Sequence, residues 1–213
     1  MDASIGGVKD YGWSTNQPYH WSYMTPLIFD LVQSLSISRV LDMGSGNGKM
    51  CSLLADKCSL VVGVEYDQGG VKIASAAYPQ ISFFNMGVQD DPQPLLDRYP
   101  EKFDAVISTE VIEHLFMPHQ LPKFASSLLR PGGYLIISTP YHGYLKNLVL
   151  SLFDKWDHHH TALRDGGHIK FWSRKMLETL LRQQNYEIVS FHGAGRLPWL
   201  WKSMVIVART KAA

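Results

Sequence analysis

Apolar positions along the chain fall into short continuous runs, separated by stretches whose apolar residues recur at helical spacing. The runs are rich in Val and Ile and cover residues 39–42, 60–65, 81–85, 105–109, 134–139, 186–191 and 204–208. Runs of four to seven such residues read as strands covered on both faces. Helical spacing fills most of the gaps, at residues 26–35, 49–55, 69–77, 120–129 and 174–183. Strands alternating with helices predict an α/β fold with a doubly wound, mostly parallel sheet of seven strands. The last two runs are joined by a Gly/Pro/Trp loop at 193–201 with no helical pattern, which predicts an antiparallel last strand. No internal repeat or low-complexity segment interrupts the pattern, so residues 1–213 are expected to form one domain.

The first strand ends in Val40-Leu41-Asp42-Met43-Gly44-Ser45-Gly46-Asn47-Gly48. Glycine lacks Cβ, so it can turn at positive φ and let a ligand lie against the backbone. Glycines at the carboxyl end of a strand make the crevice where open α/β sheets bind ligands. A dinucleotide fingerprint needs its third glycine at position 49, and Lys49 stands there. Asp42 adds a carboxylate, which repels a pyrophosphate and suits a cationic ligand. The second strand ends as Val62-Gly63-Val64-Glu65-Tyr66-Asp67. Glu65 stands about 20 residues after the glycine turn, where an acid reaches the ribose hydroxyls of an adenosine ligand. A carboxylate accepts two hydrogen bonds from a vicinal diol. Asp67 is the weaker second choice.

Three later segments complete the pattern. They are Phe103-Asp104-Ala105-Val106-Ile107-Ser108-Thr109-Glu110-Val111-Ile112-Glu113-His114, then Leu129-Arg130-Pro131-Gly132-Gly133-Tyr134, and then Gly167-His168-Ile169-Lys170-Phe171-Trp172-Ser173. Together with the glycine turn, residues 39–140 resemble the class I S-adenosylmethionine-dependent methyltransferases in motif, order and spacing. Within that superfamily the chain is similar to the ubiquinone-biosynthesis O-methyltransferases and the type 11 small-molecule enzymes. The resemblance implies a Rossmann-like sheet of order 3-2-1-4-5-7-6 and S-adenosyl-L-methionine as cofactor. It implies cofactor contacts from Asp42, Gly44, Ser45, Gly46, Gly48, Glu65, Tyr66, Gly87, Val88, Thr109 and Glu110. In related enzymes the turn after the third strand packs on adenine. Here Met86 or Val88 would line the ring, and Gln89 or Asp90 would take its amino group. Where the ubiquinone enzymes carry a cofactor-binding arginine upstream of the glycines, this chain has Tyr11, Trp13, Tyr19, His20, Trp21 and Tyr23.

A sulfonium methyl is already activated, so the protein mainly aligns a nucleophile behind it. A hydroxyl acceptor must also lose a proton. His114 is the first candidate base, with Glu113 as its neighbour and His168 as the next candidate. If Glu110, Glu113 and His114 lie on a helix, their i, i+3, i+4 spacing places them on one face. That face would suit Mg²⁺, but a site without metal is the favoured expectation. His158-His159-His160 could bind metal or face a substrate, but a solvated or loop-packing role is expected, because adjacent helical residues point apart. His20 and His142 are further pocket candidates.

Substrate choice is expected to lie in two segments, an aromatic cap at residues 1–30 and a lid at 141–173. The lid carries an apolar stripe from Tyr144 to Trp156, read as a lid helix, a core-packing helix, a dimer contact or, less favoured, a membrane-surface helix.

The chain has 18% charged residues and a formal net charge of +1. Nucleic acid is therefore disfavoured as a partner, and a small-molecule methyl acceptor is expected. No secretory signal or membrane span is visible, and Cys51 and Cys58 have no metal-ligand spacing. A cytoplasmic monomer or homodimer is expected. Methylation at nitrogen or carbon, or cofactor binding without catalysis, are the alternative functions.

Overall fold

Alternation along each strand divides the apolar side chains between the two faces of one sheet. A computed structural model describes residue 13, residues 21–160 and residues 163–211, excepting the side chain of residue 158. The strands are β1 (Arg39–Met43), β2 (Leu60–Glu65), β3 (Ser82–Asn85), β4 (Phe103–Thr109), β5 (Leu129–Pro140), β6 (Tyr186–Ala194) and β7 (Ser203–Thr210). Their spatial order is 3-2-1-4-5-7-6, with β7 antiparallel to both neighbours and the other pairs parallel. This is the expected architecture.

The helices are α1 (Trp21–Ser34), α2 (Lys49–Ala55), α3 (Gln68–Ala77), α4 (Gln93–Arg98), α5 (Gln120–Leu128), α6 (Tyr144–Leu152), α7 (Trp156–His160) and α8 (Arg174–Gln183). Leu41, Val62, Val106, Leu135 and Ile206 face one way and pack with Phe124 of α5 and Leu177 and Leu181 of α8. Val40, Val61, Ala105, Ile136 and Val207 face the other way and pack with Met24 and Ile28 of α1 and Met50 and Leu54 of α2. Both faces are thus covered, and strands buried on two sides show no polar alternation.

Several boundaries differ from the sequence reading. Helix α1 starts at Trp21 and carries Pro26 inside it, rather than starting at the proline. Packing of Trp21, Met24, Ile28, Leu31 and Val32 on the sheet outweighs the lost backbone donor. Helix α4 went unread because it has only six residues. The stripe over 144–156 breaks into α6 and α7 at Asp154, whose backbone is left-handed (φ 49). The core-packing reading of that stripe fails as well, because Tyr144, Leu145, Leu148 and Leu152 are exposed.

The β4–β5 connection turns at Gly132, at φ 73, and a Cβ there would meet nothing within 4 Å. Gly132→Ala is therefore expected to cost about 1–2 kcal/mol through left-handed backbone alone. The readout is a lower thermal midpoint with unchanged affinity for S-adenosylhomocysteine.

Candidate active site

The site is built at the carboxyl edge of the sheet, where β1, β2, β4 and β5 end side by side. After β1 the chain makes three left-handed turns, at Gly44 (φ 84), Gly46 (φ 52) and Gly48 (φ 77). Gly44 and Ser45 N–H both donate to the Val64 carbonyl oxygen, at 2.8 and 3.0 Å, which ties the turn to β2. A Cβ on Gly44 would run into Val111, and one on Gly48 would stand 2.7 Å from Phe83 and 2.8 Å from Ala74. At Gly46 the neighbour is the indole of Trp13, with Cη2 2.5 Å from a built Cβ. The aromatic N-terminal segment therefore reaches the glycine turn through Trp13. The rest of residues 1–20 lies outside the described residues.

Glu65 is buried, and both of its carboxylate oxygens are engaged. Oε2 accepts from Gly46 N–H and Oε1 from Asp67 N–H, each at 2.8 Å. It braces the glycine turn, and a ribose diol would be met by the second lone pair of each oxygen. Burial raises its pKa, against the backbone donors that lower it. Asp67 caps α3 by accepting from Gly69 N–H at 2.7 Å, and this helix-end role accounts for it. Tyr66 is half exposed on the rim.

In the turn after β3, Gly87 N–H donates to Asp90 Oδ2 at 2.7 Å, so Asp90 closes the turn. Met86 and Val88 pack partly buried on the core. Asp42 is buried beneath the glycine turn, where the Cys51 thiol donates to its Oδ2 at 3.3 Å. Burial pushes the Asp42 carboxyl up to about 7. Among the described residues Asp42 Oδ1 and Ser45 Oγ are buried without a hydrogen-bond partner. Buried orphans of this kind, beside a glycine turn at the carboxyl end of β1, fit a polar, cationic nucleoside.

Beyond Thr109 the arrangement departs from the single helix face drawn from spacing. Glu110 holds left-handed backbone (φ 56) at the end of β4, and only one 3₁₀ turn follows, Ile112–His114. Glu110 therefore does not share a helix face with Glu113 and His114, although its carboxyl is still close enough to raise the Glu113 pKa further. Ser138 Oγ donates to its Oε1 at 2.8 Å, and burial pushes its carboxyl up to about 7. Left-handed backbone at a glutamate costs on the order of 1–3 kcal/mol, and such strain clusters at functional sites.

Glu113 meets His168 instead. Glu113 Oε1 lies 3.9 Å from His168 Nε2, and Glu113 Oε2 accepts from Thr139 Oγ1 at 3.0 Å. Its carbonyl oxygen accepts from both Ile169 and Lys170 N–H, at 3.0 Å each. Glu113 is fully buried, and burial raises its pKa strongly. Burial also lowers His168 to about 4 and lowers His114. Burial thus disfavours the charged form of both groups across the 3.9 Å approach. His114 and His168 meet edge to face at 4.9 Å. His114 Nδ1 lies 3.2 Å from the Gly167 carbonyl oxygen, which assigns the ring proton to Nδ1. Glu113, His114 and His168 can each present one ligand atom with all three inside 4.8 Å. His168 thus takes the place that spacing gave to Glu110.

The segment after β5 leaves at Tyr141 and returns at Trp172, where those two residues pair as a parallel bridge. His142 N–H donates to the Trp172 carbonyl oxygen at 3.1 Å. Between these anchors lie α6 and α7. His160 stacks on Phe171 at 4.3 Å, and His142 meets His159 and Phe171 edge-on at 5.1 and 4.9 Å. His159 and His160 therefore pack the segment, as the sequence reading favoured.

A 3-2-1-4-5-7-6 sheet with a glycine turn after β1 and an acid at the end of β2 is the architecture of the class I S-adenosylmethionine-dependent methyltransferases. A family model described as a methyltransferase domain matches residues 20–191, and the chain belongs to that family. It is 34% identical over 101 residues to a probable S-adenosylmethionine-dependent methyltransferase of Mycolicibacterium smegmatis, covering 47% of this chain and 37% of that protein. It is 29% identical over 124 residues to the ubiquinone biosynthesis O-methyltransferase of Chromobacterium violaceum, covering 54% and 51%. The chain thus spans about half or less of the length of these relatives. Among solved structures, magnesium protoporphyrin IX methyltransferase of Synechocystis, with bound SAH, aligns at TM-score 0.66 and 17% identity over 88% of this chain and 82% of that one. The [4+2]-cyclase SpnF aligns at 0.68 and 16% over 95% and 88%. A cyclase on this fold shows that the fold alone does not name a reaction.

Proposed function

We propose that this chain transfers the methyl group of S-adenosylmethionine to a hydroxyl oxygen of a small molecule. The observation that carries the proposal is the pairing of β1 with β4, which sets the glycine turn beside Thr109, Glu110 and the His114–His168 pair. When bound, the cofactor supplies an electrophilic methyl on a sulfonium. Gly44, Gly46 and Gly48 shape the turn on which it lies, Glu65 meets the ribose, and Asp42 sets a carboxyl beneath it. Thr109 and the rim at Tyr66, Gly87 and Val88 complete its contacts. Neutral His114 takes the hydroxyl proton, and the Gly167 carbonyl oxygen holds it in one tautomer. Glu113 is a positioning residue: its backbone carbonyl holds Ile169 and Lys170, and its carboxyl faces Thr139 and His168. Orienting the acceptor behind the methyl supplies about 7–11 kcal/mol when the geometry is near attack.

The same proposal takes the chain as one domain, with the segment 141–173 as a lid over the acceptor. Its two free thiols are in keeping with a cytoplasmic setting.

S-adenosylhomocysteine formation against a panel of catechols, amines and carboxylates tests it. Turnover is expected with hydroxyl acceptors. Turnover with amines alone makes the chain an N-methyltransferase, and binding with no turnover makes it a cofactor-binding protein. The Glu113–His114–His168 cluster supports a second reading, since two imidazoles and one carboxylate suit a divalent ion. A metal site would lose turnover to EDTA and regain it with Mg²⁺ or Mn²⁺. A His114 base without metal is indifferent to the chelator.

A further inference from the structure

Helix α6 is built inside out. Of its apolar residues Tyr144, Leu145, Leu148 and Leu152 are exposed and Val149 and Leu150 are partly buried, while its one fully buried residue is Lys146, at 6% exposure. An amphipathic helix ordinarily turns its apolar stripe inward, so a lysine inward needs a reason. Lys146 carries three N–H donors. Among the described residues its Nζ has one hydrogen-bond acceptor, the Lys202 carbonyl oxygen, at a long 3.4 Å. No carboxylate forms an ion pair with it among those residues.

The charges around it make the arrangement stranger. Arg196, from the β6–β7 loop, is close enough to repel the Lys146 ammonium, while Glu110 at the end of β4 attracts it from beyond ion-pair distance. His142, at the end of β5, is held neutral by burial, at about 3. Burial and then Arg196 push the Lys146 amine down to about 8. It is therefore still mostly charged at neutral pH. A buried ammonium with no carboxylate within ion-pair distance is costly, and the repulsion from a second cation adds to the cost. A lysine turned inward from α6, with a second cation repelling it, is explained by an anion that arrives with the substrate.

We propose that Lys146, assisted by Arg196, is an anion-binding subsite of the acceptor pocket, and that the acceptor is a small carboxylic acid with a flat apolar body. The proposal rests on the methyl-transfer reading above and adds the acceptor's charge. Phe171, exposed and edge-on to His142 at 4.9 Å, supplies a flat wall for such a body. The lysine then chooses the acceptor and orients it, with the carboxylate at the lid and the hydroxyl towards His114.

The test is calorimetric titration of the S-adenosylhomocysteine complex with benzoate and with benzyl alcohol, its neutral counterpart. Benzoate is expected to bind about ten- to a hundredfold more tightly, the worth of hydrogen bonds to a charged group. Lys146→Met is expected to remove that preference, and Lys146→Arg to restore most of it. Affinity for S-adenosylhomocysteine stays unchanged in both variants. Thermal stability of Lys146→Met is expected to hold or rise, since an unpartnered buried charge is removed. Equal binding of the two probes, or no benzoate binding to a complex that has formed, overturns the proposal. So does a preference that survives in Lys146→Met, or a loss of stability there, which would make the lysine structural. Displacement of benzoate by equimolar inorganic phosphate overturns the carboxylate and assigns a phosphate instead. Failure to bind S-adenosylhomocysteine at all defeats the methyl-transfer reading and leaves a different signature.

Discussion

Gly46→Val is expected to abolish binding of S-adenosylmethionine while the sheet remains folded. Gly46 sits at φ 52, a region that a β-branched side chain adopts only with strain. That cost, about 1–3 kcal/mol, is small beside what happens to the site. The new Cβ would stand 2.5 Å from Trp13 Cη2, so the indole or the turn on which a nucleoside must lie has to shift. The Gly46 N–H also braces Glu65, so a shifted turn releases the acid meant for the ribose. Equilibrium dialysis with S-adenosylhomocysteine and far-ultraviolet dichroism together check the result. Retained affinity would mean that the ligand does not lie on this turn. Gly132→Ala is the matching control, since it pays the same backbone strain far from the site.

His114→Ala is expected to lower turnover about 10²–10⁴-fold, the usual contribution of a positioned base. Affinity for S-adenosylhomocysteine should stay within a few fold, because His114 stands on the acceptor side of Thr109. The imidazole is neutral at working pH because burial lowers its pKa, so it is ready to accept a proton. His168 lies at 4.9 Å and can take over part of the role. The double variant, with His168→Ala added, should therefore fall below either single one. Unchanged turnover in His114→Ala would move the base to His168.

The cofactor half of the site was legible in the sequence because its requirements are local. Positive φ demands glycine at 44, 46 and 48, and parallel pairing of β1 with β2 fixes Glu65 beside that turn. Nearest-neighbour geometry of this kind survives as spacing. The acceptor half was less legible because its residues come from distant segments. The spacing of Glu110, Glu113 and His114 promised one helix face. The left-handed Glu110 broke that face, and the return of 167–170 brought in His168 instead. The apolar stripe of 144–156 gave a helix but not its facing. Periodicity states which residues share a side, while tertiary packing decides which side is buried, and here it buried Lys146.

The Cys51–Asp42 contact has a practical consequence. The thiol is fully buried, and its pKa is raised well above the ordinary value by burial and then by the neighbouring carboxylate. Only a thiolate reacts at useful rates with disulfide reagents, so Cys51 is chemically silent while α2 stays seated. Cys58 is half-buried and answers first. The slower second equivalent of thiol titration then times the local opening of the glycine turn. A nucleoside bound on that turn should lengthen the interval by the factor that its own occupancy predicts.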